Sequence, residues 1–230
     1  MTGTLSSLLL ATFQFGAIHI IPSSFLRAKL VDKVGALPYL GLFSLMSLVF
    51  FVWMIMAYID APYGDMLWDL GGWTRYVAIA GMVLASILMV GAYTNRSPTG
   101  IGGEKSVDTP AARGGIHAIT RHPLMWAITI WSGVHLLNNG DVKSVIFFVG
   151  LGGVALLGTV MIDKKRAKEL GADYVNYAKL TSNIPFLAIV QGRATISVKA
   201  IWWRVLAGLF VFMAFFHLHN MVIGVSPFPI

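Results

Sequence analysis

Six apolar runs, separated by polar and glycine- or proline-bearing stretches, divide the chain. They fall at about 5–22, 39–58, 74–93, 123–137, 145–162 and 201–223. None alternates polar with apolar residues as a half-buried strand does, and most approach the ~20 residues with which a helix crosses hydrocarbon. In lipid only a helix or a closed barrel satisfies its own backbone, so the runs predict helices. The expected fold is all-α, a polytopic membrane helix bundle of about six transmembrane helices forming one membrane domain over residues 1–230. The fourth run is short and is expected to be tilted or packed among its neighbours.

Composition agrees with that pattern. The chain is 57% hydrophobic and only 12% charged, against about 25% charged in a soluble domain. The net charge of +7 forms no basic stripe and lies in loops, which excludes a nucleic-acid partner. Fourteen of the 17 lysines and arginines fall in the loops after the first, third and fifth runs. Positive loops stay in the cytoplasm, so both termini are expected outside, with the first run retained as a span. Trp53, Trp68, Trp73, Trp202 and Trp203 lie near run ends and predict an interfacial aromatic belt. The absence of cysteine excludes disulfides, thiolate metal sites and a cysteine nucleophile. The loop at 96–112 carries Pro98, Gly100, Gly102, Gly103 and Pro110 and is expected to be a flexible lid. The basic stretch from Asp163 predicts a helical extension of the fifth run, stopped by Gly171 and lying against anionic headgroups.

Histidine carries the candidate chemistry. The segment from Thr120 to Asp141 opens with Arg121-His122-Pro123, continues as an apolar helix bearing His135, and closes on Asn138-Asn139-Gly140-Asp141. A proline suits the first turn of a helix, where its missing N–H is not needed. An ionisable group in hydrocarbon is costly, so its default reading is a functional site. The plain alternative is a neutral imidazole bonded to a neighbouring helix. His19, His122 and His135 lie on separate segments. With no cysteine, and no acid inside a run, imidazoles are the metal ligands that remain; they suit iron, copper or zinc. Two imidazoles from two helices are a common way to hold haem b. Counting at 1.5 Å rise per residue leaves His19 and His135 roughly 10 Å apart in depth; by depth alone, His19 with His122 pairs better. Arg121 is expected to anchor a haem propionate or lipid phosphate, or to cap and snorkel.

These features together resemble the NnrU family of membrane proteins, which includes carotenoid isomerases of the 15-cis-zeta-carotene type. The resemblance rests on His19 with Arg27, Gly35, Leu67-Trp68, Thr120-Arg121-His122-Pro123, Trp131 to His135, Asn139-Gly140 and Asp163-Lys164-Lys165-Arg166. It implies a helical membrane bundle holding haem b through His19 and His135, with His122 and Arg121 as further cofactor-binding candidates. For the bacterial branch it implies an inner-membrane protein tied to nitrite and nitric oxide respiration. The implied partners are membrane lipid, a hydrophobic substrate and a respiratory complex. For the carotenoid branch it implies cis–trans isomerisation. Here Ser132 stands where that isomerase has cysteine, and Tyr58-Ile59-Asp60 where it has a histidine, so the bacterial branch is expected first. A second resemblance is to isoprenylcysteine carboxyl methyltransferases, through Arg121-His122-Pro123, Leu170 to Tyr177 and Ile184-Pro185; it implies S-adenosylmethionine at the cytoplasmic face.

Overall fold

The computed structural model describes residues 3–24, 26–100 and 102–228. Among them the α-helices are, in chain order, α1 (Leu5–Ser24), α2 (Arg27–Val34), α3 (Ala36–Asp60), α4 (Trp73–Thr94), α5 (Pro110–Arg113), α6 (Pro123–Asn138), α7 (Val142–Leu170), α8 (Ala172–Leu180), α9 (Leu187–Val190) and α10 (Val198–Ile223). Each apolar run has become a helix. Four of them, α3, α4, α7 and α10, are long and apolar enough to cross a membrane, which makes this a multi-pass membrane protein. The expected count of six spans would need α1 and α6 as well. The apolar part of α1, Leu5–Ile21, and the 16-residue α6 are both shorter than that length.

Local chemistry explains the helix ends. Pro123 opens α6. Asp141 caps α7, its carboxylate accepting from the Ser144 N–H at 3.1 Å and the Ser144 hydroxyl at 2.8 Å. The 29-residue α7 outruns its apolar stretch, as the basic extension predicted. It stops at Gly171, whose φ of +58° few other residues adopt and whose N–H reaches Ala167 O at 3.1 Å.

The chain divides into two compact units, residues 1–71 with 135–154, and residues 72–134 with 155–230. In the first, Leu8, Ala11 and Phe15 of α1 are buried with Met54 and Ala57 of α3 and Phe147 and Phe148 of α7. A connecting segment runs beside the start of α7. Leu67 N–H donates to Gly140 O at 2.8 Å, and Val142 N–H to Asp65 O at 3.1 Å. Trp68 donates its indole N–H to Leu136 O at 3.2 Å, so it fixes this turn rather than serving only in a belt. A Cβ on Gly140 would stand 2.0 Å from Trp68 O. Leu67-Trp68 and Asn139-Gly140, distant in the chain, thus form one joint.

In the second unit Leu88, Ile116, Ile119, Ala127 and Ile201 form the core. The 96–112 stretch departs from its expectation as a free lid. It holds a 3₁₀ turn (Glu104–Ser106) and α5, and Ser97, Ser106, Val107 and Ala112 are buried. The cause is Arg166 of α7, 5% exposed. Its guanidinium donates to Glu104 at 2.6 Å, Glu169 at 2.8 Å and Gly100 O at 3.0 Å. A buried cation without partners is costly, so the loop is held down onto it.

Candidate functional site

Among the described residues of the second unit, the most densely bonded polar group is Asp163, the first residue after the apolar run of α7. Its Oδ1 accepts from Arg121 Nε at 2.9 Å, His122 Nε2 at 2.7 Å and the Tyr174 hydroxyl at 2.6 Å. Its Oδ2 accepts from Arg121 Nη2 at 2.5 Å and Asn183 Nδ2 at 3.4 Å. The Arg121 pair is bidentate, the strong geometry for guanidinium and carboxylate. Two further bonds hold the same segments of chain together: the Arg121 N–H donates to Ser182 O at 2.8 Å, and the Thr120 hydroxyl donates to Asn183 O at 2.6 Å. Both oxygens of Asp163 are engaged by the protein's own donors. The cluster is therefore an anchor, poorly suited to act as a free base.

Its histidine is neutral. Burial pushes His122 below its ordinary value, outweighing the upward pull of Asp163. Nε2 carries the proton toward the carboxylate, which leaves Nδ1 buried and unpartnered. Tyr174 is pushed above the usual phenol range by burial and then by the carboxylate beside it. His117, fully buried in the 3₁₀ turn Gly115–Ala118, accepts at Nδ1 from Asn95 Nδ2 at 3.0 Å. Its own Nε2 is buried without a partner. Burial lowers it to about 4, with smaller contributions from Arg204 and His122.

The other two predicted ligands belong to the first unit. His19, on α1, is packed against Phe15 at 4.3 Å and Phe43 at 5.6 Å between ring centroids. Its Nδ1 lies 2.7 Å from Phe15 O, so Nδ1 carries the proton and donates. Its Nε2 lies 3.2 Å from the Ser47 hydroxyl, which donates to it. A neutral ring with one N–H tied to a carbonyl, presenting the other nitrogen as a base, is the form in which histidine binds metals. His135, near the end of α6, is half-buried and stacked on Phe148 at 5.2 Å. Tyr58 lies edge-on to the same Phe148 at 6.0 Å. Ser132, one turn before His135, is buried with an unpartnered hydroxyl. Among the described residues no three of His, Asp and Glu converge as a metal site.

Of the four predicted site residues, Arg121 and His122 meet at Asp163, and His19 and His135 lie in the other unit. Asp163, Tyr174 and Asn183 were not singled out as site residues. The available signal was a lone acid at the head of a basic run, directly after the apolar stretch. The pieces quoted for the methyltransferase resemblance do converge, since Tyr174 joins Arg121 and His122 on Asp163.

The fold and these sites define a multi-pass helical membrane protein with histidines buried in one unit and half-buried in the other. The family model described as NnrU protein matches residues 7–227. The chain belongs to the NnrU family. Its relatives include the chloroplastic 15-cis-zeta-carotene isomerase of Zea mays, 32% identical over 190 residues, covering 81% of this chain and 51% of that protein. The chloroplastic 15-cis-zeta-carotene isomerase of Arabidopsis thaliana is 39% identical over 79 residues, covering 34% and 22%. The chain thus spans about half the length, or less, of these curated relatives. No solved structure matches it.

Proposed function

We propose that the chain is a haem b protein of a bacterial inner membrane in which His19 and His135 supply the axial imidazoles. The observation that carries this is the bonding of His19: Nδ1 is braced by Phe15 O, and Nε2 is held by nothing stronger than the Ser47 hydroxyl among the described contacts, a partner that a metal could replace. Side chains lean toward the N-terminus of their own helix. In the expected topology α1 starts outside and α6 inside, so both rings lean toward mid-depth and the counted gap shrinks. Phe15, Phe43 and Phe148 would form a dry wall around them. Such a haem supplies one-electron chemistry, suited to redox or nitric oxide handling in respiration. The test is an absorption spectrum of purified protein after haem supplementation. Wild type should show a Soret band that His19→Ala and His135→Ala each abolish. No band in the wild type would end the proposal.

A second reading, cis–trans isomerisation of a polyene, is favoured by the 32% identity to the maize isomerase. Conversion of 9,15,9′-tri-cis-zeta-carotene in a carotenogenic host separates the two. Isomerised product assigns the isomerase reading, and its absence alongside a Soret band leaves the respiratory one.

A further inference from the structure

A cavity of about 480 Å³ opens beside the Asp163 cluster. One wall is α7, through Lys164 and Ala167, and the other is α8, through Val175, Ala178 and Lys179. These positions recur at three and four residues, so each helix presents them on one face. Arg121 and the ring of Tyr174 close the inner end. Arg121 spends Nε and Nη2 on Asp163, and its Nη1 makes no hydrogen bond among the described residues. The Lys164 and Lys179 ammonium groups make no ion pair among the described residues. Asp163 offsets Arg121, so two lysine charges at the mouth remain uncompensated. Between them the surface is aliphatic, with Val175 46% exposed.

Depth narrows the choice of ligand. The apolar run of α7 ends at Ile162, directly before Asp163 and Lys164, and Arg121 lies two residues before the start of α6. The cavity therefore sits where these helices leave the apolar layer. A pocket with free cations, aliphatic walls and this depth fits neither a cation nor a fully polar solute. We infer that it holds the head of an anionic phospholipid, the phosphate between Lys164, Lys179 and Arg121 Nη1 and the glycerol carbons against Ala167, Val175 and Ala178. This site is independent of the haem proposal.

The test uses full-length protein in a zwitterionic detergent at low salt, followed by thermal unfolding. Dihexanoyl phosphatidylglycerol, dihexanoyl phosphatidylcholine and inorganic phosphate are titrated separately. Phosphatidylglycerol should raise the unfolding temperature saturably, at a midpoint well below those of the other two. In Lys164→Gln and Lys179→Gln that midpoint should rise about fivefold each. Lys168→Gln, an exposed lysine of α7 outside the cavity, should leave it unchanged. Equal responses to the two lipids, an unchanged midpoint in both cavity variants, or a phosphate midpoint equal to that of phosphatidylglycerol would each overturn the inference.

Discussion

His122 and His19 show what two regions of one membrane protein do with the same side chain. His122 is enclosed in the second unit and gives its one proton to a carboxylate that also binds arginine, tyrosine and asparagine. Charge is concentrated there, every oxygen of Asp163 is spoken for, and the outcome is a joint between chain segments. His19, in the first unit, is held among phenylalanines by a backbone carbonyl and a serine hydroxyl. A serine hydroxyl is a weak partner, which a better electrophile could displace at small cost. The difference lies in the competition a ligand would face, since both rings are neutral and sheltered.

The comparison breaks most directly at Asp163. Asp163→Ala leaves Arg121 and His122 as a buried charge and a buried donor without an acceptor, and should cost about 3–5 kcal/mol. Thermal unfolding checks this, while any protein that remains folded should keep the Soret band that the proposed haem would give. Loss of the band without loss of stability would show that the two regions had been assigned the wrong roles. Tyr174→Phe removes one hydrogen bond to the same carboxylate and should cost about 1.5–3 kcal/mol, a smaller drop of the same kind.

Acid tests the second unit through His117 and His122. Both are held below their ordinary values in the fold. Protonation therefore favours the unfolded chain. Stability should be at its plateau above the ordinary histidine value of about 6.5 and fall with decreasing pH. For His117 the loss should level off near its folded value of about 4. Unfolding temperatures across that window should slope, and His117→Asn should make the slope shallower; an unchanged slope would remove His117 from the account. The smallest effect belongs to the first unit. Ser47→Ala should cost about 1 kcal/mol or less and leave the Soret band in place, whereas His19→Ala removes the band with little change in unfolding temperature.

Much of this was legible in the residues alone. Apolar length and the shortage of charge required helices in a membrane, because no other open structure satisfies its backbone in lipid. Pro123, Gly171 and the basic stretch after Ile162 marked helix ends that the structure keeps. His19 and His135 stood out because ionisable groups in apolar runs are rare. What only the tertiary structure decided was pairing at a distance. That Leu67-Trp68 closes on Asn139-Gly140, that Arg166 pins the 96–112 loop, and that Asp163 collects donors from the segments around residues 121, 174 and 183 depend on helix packing. Hydrophobic burial is non-directional and can be read from a run of side chains. A hydrogen bond needs its two atoms within about 3 Å of each other, and no spacing along the chain states which distant atoms will meet.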